Sequence, residues 1–232
     1  MQARLVESVE IAPEVRHFVF EADDVRDLPF IPGQFVSFTD TIEGKQITRA
    51  YSIASAPSGT NRFELCLNLV HDGHLSPRLF AMRPGEAIDM QAPLGMFTIR
   101  HPERDSVLIA TGTGVAPYRS ILHAHLNDAS PNFTLLFGVR HEPSLMYRTE
   151  FEEMARRYAN FRFMPTLTRP GETWPGRTGR VQEHLKEAIG DRIDLSNVDV
   201  FLCGLKAMVD DVRNILKGMG FDRKQILYEK YD

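Results

Sequence analysis

At 232 residues, 43% hydrophobic and 25% charged, the chain has an ordinary globular composition and the length for two modest domains or one large one. A net charge of −4 argues against a protein that coats nucleic acid. No apolar run approaches a membrane span and Met1–Glu10 lacks a signal-peptide core, so a cytoplasmic protein is expected.

Two cysteines, Cys66 and Cys203, cannot supply the thiolates of an ordinary iron–sulfur cluster or a Cys-rich zinc site. No metal is expected on this chain; any metal centre belongs on another. Two reduced thiols are expected rather than a disulfide.

From residue 1 to about 102, short runs with β character are broken by Pro, Gly and Asp: Arg16–Glu21, Gln34–Phe38, Ile47–Ile53, Arg62–Val70 and Met96–Arg100. In the fourth, Phe63, Leu65, Leu67 and Leu69 share one face while Arg62, Glu64 and Asn68 take the other, the period of a half-buried strand. Closely spaced strands of this kind predict an antiparallel barrel or sandwich. One helix interrupts them, with Ser76 as N-cap, Pro77 at the first helical position and Pro84-Gly85 as the stop.

The domain boundary is predicted near His101 to Asp105, and beyond it the period changes. Val107 to Leu122 reads as a strand, a tight turn at Thr111-Gly112-Thr113-Gly114, and a helix starting at Pro117. Glycines allow the sharp turn, and the first helical N–H groups offer partial positive charge to a phosphate. The third position of a Gly-x-Gly-x-x-Gly fingerprint holds Pro117, so a glycine-rich turn in any α/β domain is an equal reading of these residues alone.

Apolar runs at Val107–Ala110, Phe133–Val139, Phe161–Leu167 and Val198–Cys203 alternate with amphipathic segments at 117–126, 149–158, 181–189 and 205–217. That alternation predicts a parallel sheet with crossover helices. In the last helix Met208, Val209, Val212, Ile215 and Leu216 form a core stripe, closed by Gly218 or Gly220, and a final strand follows at Gln225–Tyr231.

Five segments carry a resemblance: Arg49-Ala-Tyr-Ser52 with Ile-Ala-Ser after it, Gly73-His-Leu-Ser-Pro77, Gly112-Thr-Gly-Val-Ala-Pro117, Cys203-Gly-Leu-Lys-Ala-Met208 and the terminal Tyr-Glu-Lys-Tyr. In this order and spacing they resemble the ferredoxin–NADP reductase family over nearly the whole chain. The resemblance implies two domains: an N-terminal antiparallel β-barrel that binds FAD, residues 1–102, and an α/β parallel-sheet domain for the nicotinamide nucleotide, residues 103–232. It also implies that the two rings meet in the cleft between them.

By resemblance, Arg49, Ala50, Tyr51 and Ser52 serve the FAD diphosphate, the isoalloxazine face and its N5. The chemistry suits the roles, since a guanidinium offers paired donors to a pyrophosphate, a phenol a flat face and a hydroxyl a hydrogen bond. Arg49 and Tyr51 share a strand face and Ser52 takes the other unless a bulge intervenes. A surface arginine beside a packed tyrosine is the bland alternative. The family likeness also places His74, Leu75 and Ser76 along the diphosphate and Cys66, Leu67 and Asn68 along the adenosine portion, where a capped helix and an ordinary strand are the plain reading.

In the second domain the resemblance places Thr113 at the nicotinamide nucleotide, in line with ligand binding at the carboxyl ends of parallel strands. Arg140, the Thr168-Arg169 pair and Arg180 stand in segments similar to the family's 2′-phosphate positions, which favours NADP(H); solvated surface arginines are the alternative. The Pro170–Trp174 stretch is similar to one in NADH-using relatives, so NAD(H) stays open. Cys203 is a small buried residue on composition alone. Its context resembles the family cysteine that positions the nicotinamide, with Glu229 aligning that ring and relaying protons with Ser52, and Tyr231 stacking on the flavin. Plant-type reductases end on that tyrosine, whereas here Asp232 follows.

The implied activity is hydride transfer between NADPH and flavin N5, followed by single-electron transfer to a separate ferredoxin or flavodoxin. Two other readings stand beside it: an NADH-dependent reductase component for an oxygenase, a cytochrome or free flavin, and a flavin-bound regulatory electron-transfer subunit.

Overall fold

Alternation of small or apolar inward residues with charged outward ones produces the first half of the chain: strands β1 (Gln2–Ala12), β2 (Val15–Ala22), β3 (Phe35–Ile42), β4 (Lys45–Ser52), β5 (Arg62–Asn68) and β6 (Ala87–Leu94). The computed structural model describes residues 1–190 and 194–231. All pairings among these strands are antiparallel, in the order β4-β3-β6-β1-β2-β5. A bridge from Ile53 to Leu65 returns the β4 edge to β5, closing the sheet into the expected barrel.

Its core is aromatic. Phe18, Phe20, Phe38 and Phe63 are fully buried, with Phe20 stacked on Phe63 at 5.7 Å and set edge-on to Phe38 at 5.1 Å. Each such side chain stabilises the barrel by about 1.5–3 kcal/mol relative to an exposed one.

Local expectations are corrected at several points. Met96–Arg100 forms no strand: Met96 is 73% exposed and Phe97 buried, in an irregular segment after β6. Ser76 does not cap its helix, since α1 spans Leu75–Ala81 with His74 at the cap, and the Ser76 hydroxyl instead accepts a bond from the Val70 amide at 2.9 Å. The predicted start at Pro117 is displaced because Gly112–Val115 forms a 3-10 turn, after which α2 runs Ala116–His125.

The second half builds a six-stranded parallel sheet from β7 (Asp105–Thr111), β8 (Phe133–Val139), β9 (Phe161–Leu167), β10 (Arg177–Thr178), β11 (Val198–Leu205) and β12 (Ile226–Tyr231), in the order β10-β9-β8-β7-β11-β12. Helices α3 (Arg148–Arg157), α4 (Leu185–Ile189) and α5 (Lys206–Gly218) fill the crossovers with α2. The first turn of the predicted 181–189 helix is 3-10, Val181–His184. On α5, Met208, Val209, Val212 and Leu216 are buried, but Ile215 is 39% exposed and lies outside the stripe. Gly220, at φ +98°, ends the helix, and the Phe221 amide donates back to Leu216 O at 3.1 Å.

The strand order reverses between β7 and β11, and in open parallel sheets ligands bind at the carboxyl ends beside such a reversal. The chain divides into two compact units, Met1–Thr98 with Ala116–Ala124, and Ile99–Val115 with His125–Asp232; α2 thus packs almost wholly with the barrel. Among the described residues, no helix is long and apolar enough to cross a membrane.

Candidate functional site

In the barrel unit, β4 passes from the surface into the core along the residues singled out above: Arg49 and Ala50 are exposed, Tyr51 is half-buried and Ser52 is buried. Its register with β3 is regular, Phe38 opposite Arg49, Val36 opposite Tyr51 and Phe35 opposite Ser52. Without a bulge, Arg49 and Tyr51 share a face and Ser52 takes the other. The Tyr51 ring packs 5.7 Å from Phe38, and burial pushes its phenol up to about 12 against the opposing pull of Arg49. Tyr51 is therefore a neutral aromatic surface at ordinary pH.

Cys66 and Leu67 are buried on β5, and Asn68 is exposed at its end. His74 is exposed where α1 begins, while Leu75 and Ser76 are buried. The Ser76–Val70 bond ties the start of α1 to the loop leaving β5, and α1 packs on β4. The three proposed segments of the barrel unit are thereby brought together.

In the parallel-sheet unit, two glycines let backbones touch. A side chain on Gly114 would begin 2.3 Å from Cys203 O and 2.9 Å from Gly204 N, and one on Gly204 would begin 2.3 Å from Thr111 Oγ1. The turn after β7 and the end of β11 are in direct backbone contact, at the place where the strand order reverses. Thr113 is half-buried in that turn, and around Gly112, at φ +56°, nothing lies within 4 Å of where a side chain would start.

Cys203 is fully buried and lies opposite Glu229 in the β11–β12 register, with Tyr231 two residues further along. Burial pushes the Cys203 thiol far above its ordinary value; a hydrogen bond from Tyr231 opposes that shift and the Glu229 charge reinforces it. The sulfur is held as a neutral, polarisable body rather than a thiolate nucleophile. Asp232 lies outside the described residues.

Arg140, Thr168, Arg169 and Arg180 are exposed beyond the carboxyl ends of β8, β9 and β10. The Thr168 amide donates to Val139 O at 3.1 Å and the Arg169 amide to Arg140 O at 2.8 Å; Gly179, just before Arg180, donates to Leu167 O. Their backbones are neighbours, and none of the three arginines has an ion-pair partner among the described residues. The nearby Trp174 is fixed by the Arg148 guanidinium 5.3 Å from its ring and by a bond from its Nε1 to Arg177 O.

These donors suit FAD and a nicotinamide dinucleotide. Arg49 uses Nη1 on its neighbour Thr48 O at 2.8 Å, leaving further N–H groups for a diphosphate, and the space at Gly112 admits a ligand close to backbone. Sequence reasoning passed over Arg119 and Ser120. The available signal is two polar side chains inside the stretch where Ala116, Pro117, Tyr118, Ile121 and Leu122 are all buried.

Comparison with known proteins gives the family of both halves of the chain. The oxidoreductase FAD-binding domain family matches residues 2–99, and the oxidoreductase NAD-binding domain family matches residues 108–214. A ferredoxin–NADP reductase B from Sorangium cellulosum is 40% identical over 238 residues, covering 100% of this chain and 97% of that protein. The anthranilate 1,2-dioxygenase electron transfer component of Acinetobacter baylyi is 29% identical, over 99% of this chain and 66% of its own length. In fold, the chain resembles the ferredoxin NADP+ reductase from Neisseria gonorrhoeae solved with bound FAD and NADP, at TM-score 0.83 and 23% identity, over 99% of this chain and 98% of that one. The chain belongs to the ferredoxin–NADP reductase family and is an oxidoreductase whose cofactors are FAD and a nicotinamide dinucleotide.

Proposed function

We propose that this protein moves electrons between NADP(H) and a separate one-electron carrier such as ferredoxin or flavodoxin. The observation that carries the reading is the near full-length match to a ferredoxin–NADP reductase. The NADP preference is supported by Arg140, Arg169 and Arg180, whose guanidinium groups lack ion-pair partners among the described residues while their backbones are neighbours. Bound FAD supplies exchange between a hydride and single electrons, and the nucleotide supplies or accepts the hydride at flavin N5.

The chain's own residues bind, orient and exclude water. We assign residues 1–102 to FAD and 103–232 to the nucleotide. Arg49 neutralises the diphosphate with help from His74, Leu75 and Ser76; Ala50 and Tyr51 line the ring, Ser52 offers a hydroxyl to N5, and Cys66, Leu67 and Asn68 flank the adenosine portion. Thr113 meets the nucleotide, Thr168 and the arginines meet its 2′-phosphate, and Cys203 and Glu229 orient the nicotinamide. Tyr231, hydrogen-bonded to Cys203 on the neighbouring strand, would be the aromatic residue that shields the reacting ring.

A second reading, an NADH-dependent component serving an oxygenase, is favoured by the fixed Trp174 and by the oxygenase-component relative. Stopped-flow reduction with each nucleotide separates the two. Expected is a kcat/KM for NADPH at least about tenfold above NADH, as about 1.4 kcal/mol of phosphate recognition gives. Replacing Arg140, Arg169 and Arg180 together by alanine should abolish that advantage and leave NADH within twofold. A wild-type preference for NADH would overturn the NADP assignment.

A further inference from the structure

Ser52 leaves β4 into Ile53, Ala54 and Ser55, and this short segment is held from several directions. The Ile53 amide donates to Gln34 O at 2.9 Å, the Ala54 amide donates to Glu64 O at 2.7 Å, and the Ser55 hydroxyl accepts from the Glu64 amide at 3.1 Å. The Ala54 and Ser55 carbonyls accept from side chains of α2. Arg119 Nη1 donates to Ala54 O at 3.0 Å and to Glu64 Oε2 at 2.5 Å, and Ser120 Oγ donates to Ser55 O at 2.6 Å. All these residues lie within the barrel unit.

The Arg119 side chain is 14% exposed and that of Glu64 30%. In such a partly dry setting a charge-assisted bond is stronger than in water, and a carbonyl left without a donor is costly. His17 Nε2 stands 3.7 Å from the same Glu64 oxygen, so the carboxylate has basic groups on two sides. The guanidinium is aimed at the backbone two residues beyond the proposed flavin-facing serine.

We infer that Arg119, oriented by Glu64 and assisted by Ser120, is a positioning residue: it fixes the backbone after β4 and so holds the Ser52 hydroxyl in register with the flavin. The inference rests on the reading above, in which Ser52 serves the flavin. Arg119 touches neither substrate nor cofactor in this assignment; it acts through Ala54 and Ser55.

The test uses the FAD-loaded full chain and the variants R119A, R119K and E64Q. The readouts are the visible circular dichroism of bound flavin, the limiting rate of flavin reduction at saturating NADPH, the apparent nucleotide Kd and the melting temperature. For R119A the limiting rate should fall about tenfold with nucleotide Kd within twofold of wild type, and the flavin dichroism should change. R119K should recover part of both, because both bonds come from the one nitrogen Nη1 and an ammonium carries donors for both acceptors, but on a shorter stem. E64Q should show a smaller change of the same kind.

If R119A lowers the melting temperature yet keeps the wild-type limiting rate and dichroism, the residue is only structural and the inference fails. Should R119A lose FAD or fail to fold, R119K and E64Q decide in the same way, and wild-type values in both overturn it. If wild type is reduced by neither nucleotide, the proposed function fails, while the flavin dichroism of the variants still decides the positioning role.

Discussion

Gly114→Ala should cripple nicotinamide-nucleotide binding while leaving FAD content and barrel stability as they are. The added methyl would lie 2.3 Å from Cys203 O, 2.6 Å from Cys203 C and 2.9 Å from Gly204 N, and none of these is the end of a flexible side chain. Either the turn after β7 retreats or the end of β11 yields, and both carry proposed nucleotide contacts. Overpacking of this kind costs about 1–3 kcal/mol, equivalent to roughly 5- to 150-fold in affinity. Gly204→Ala should behave alike for two reasons, its φ of +143° and the Thr111 hydroxyl 2.3 Å from the new carbon. Equilibrium titration of the nucleotide, with FAD absorbance as the internal control, checks both; wild-type affinity in G114A would show that the turn carries no part of the site.

Arg49→Ala should yield protein that loses its flavin on dilution. A diphosphate brings two negative charges, and Arg49 is exposed with donors remaining beyond the one bond to Thr48 O. Loss of paired charge-assisted bonds removes about 2–3 kcal/mol, a weakening of FAD binding by roughly 30- to 150-fold. Fluorescence of released FAD against protein concentration measures it. Arg49→Lys should restore only part, since an ammonium lacks the planar fork. An R49A protein that holds FAD as wild type does would place the diphosphate elsewhere.

How much of this could be read from the sequence depended on how strongly each segment advertised its period. Phe133–Val139 is legible to the residue because a central strand buried on both faces is a nearly continuous apolar run, and Phe161–Leu167 is legible at the same bounds although Arg162 on it is exposed. β1 and β6 were missed for the opposite reason. In Gln2–Ala12 the inward positions are held by Ala3 and Leu5 among charges, and in Ala87–Leu94 by Ile88 and Met90 beside Asp89 and Gln91, so pairing rather than composition makes them strands.

Met96–Arg100 misled because its alternation matched a strand, although an exposed methionine next to a buried phenylalanine is also what a loop crossing the core edge presents. The misplaced cap at Ser76 shows a side-chain hydroxyl satisfying a neighbouring loop rather than its own helix. At the candidate site, residue types and their order were legible in Arg49–Ser52 and Cys203–Glu229–Tyr231. Contacts between distant backbones, Gly114 against Cys203 and Arg119 against Ala54, were not, because no local period encodes which carbonyl a turn or a guanidinium will meet.

The most direct measurement is an anaerobic titration of the purified protein with NADPH, followed through the visible flavin band. Expected is a yellow protein with one FAD per chain that is bleached by about one equivalent of nucleotide and recolours when an oxidised one-electron carrier is added. Protein that is colourless and takes up no added FAD, or a flavin band that neither NADPH nor NADH bleaches, would contradict this expectation.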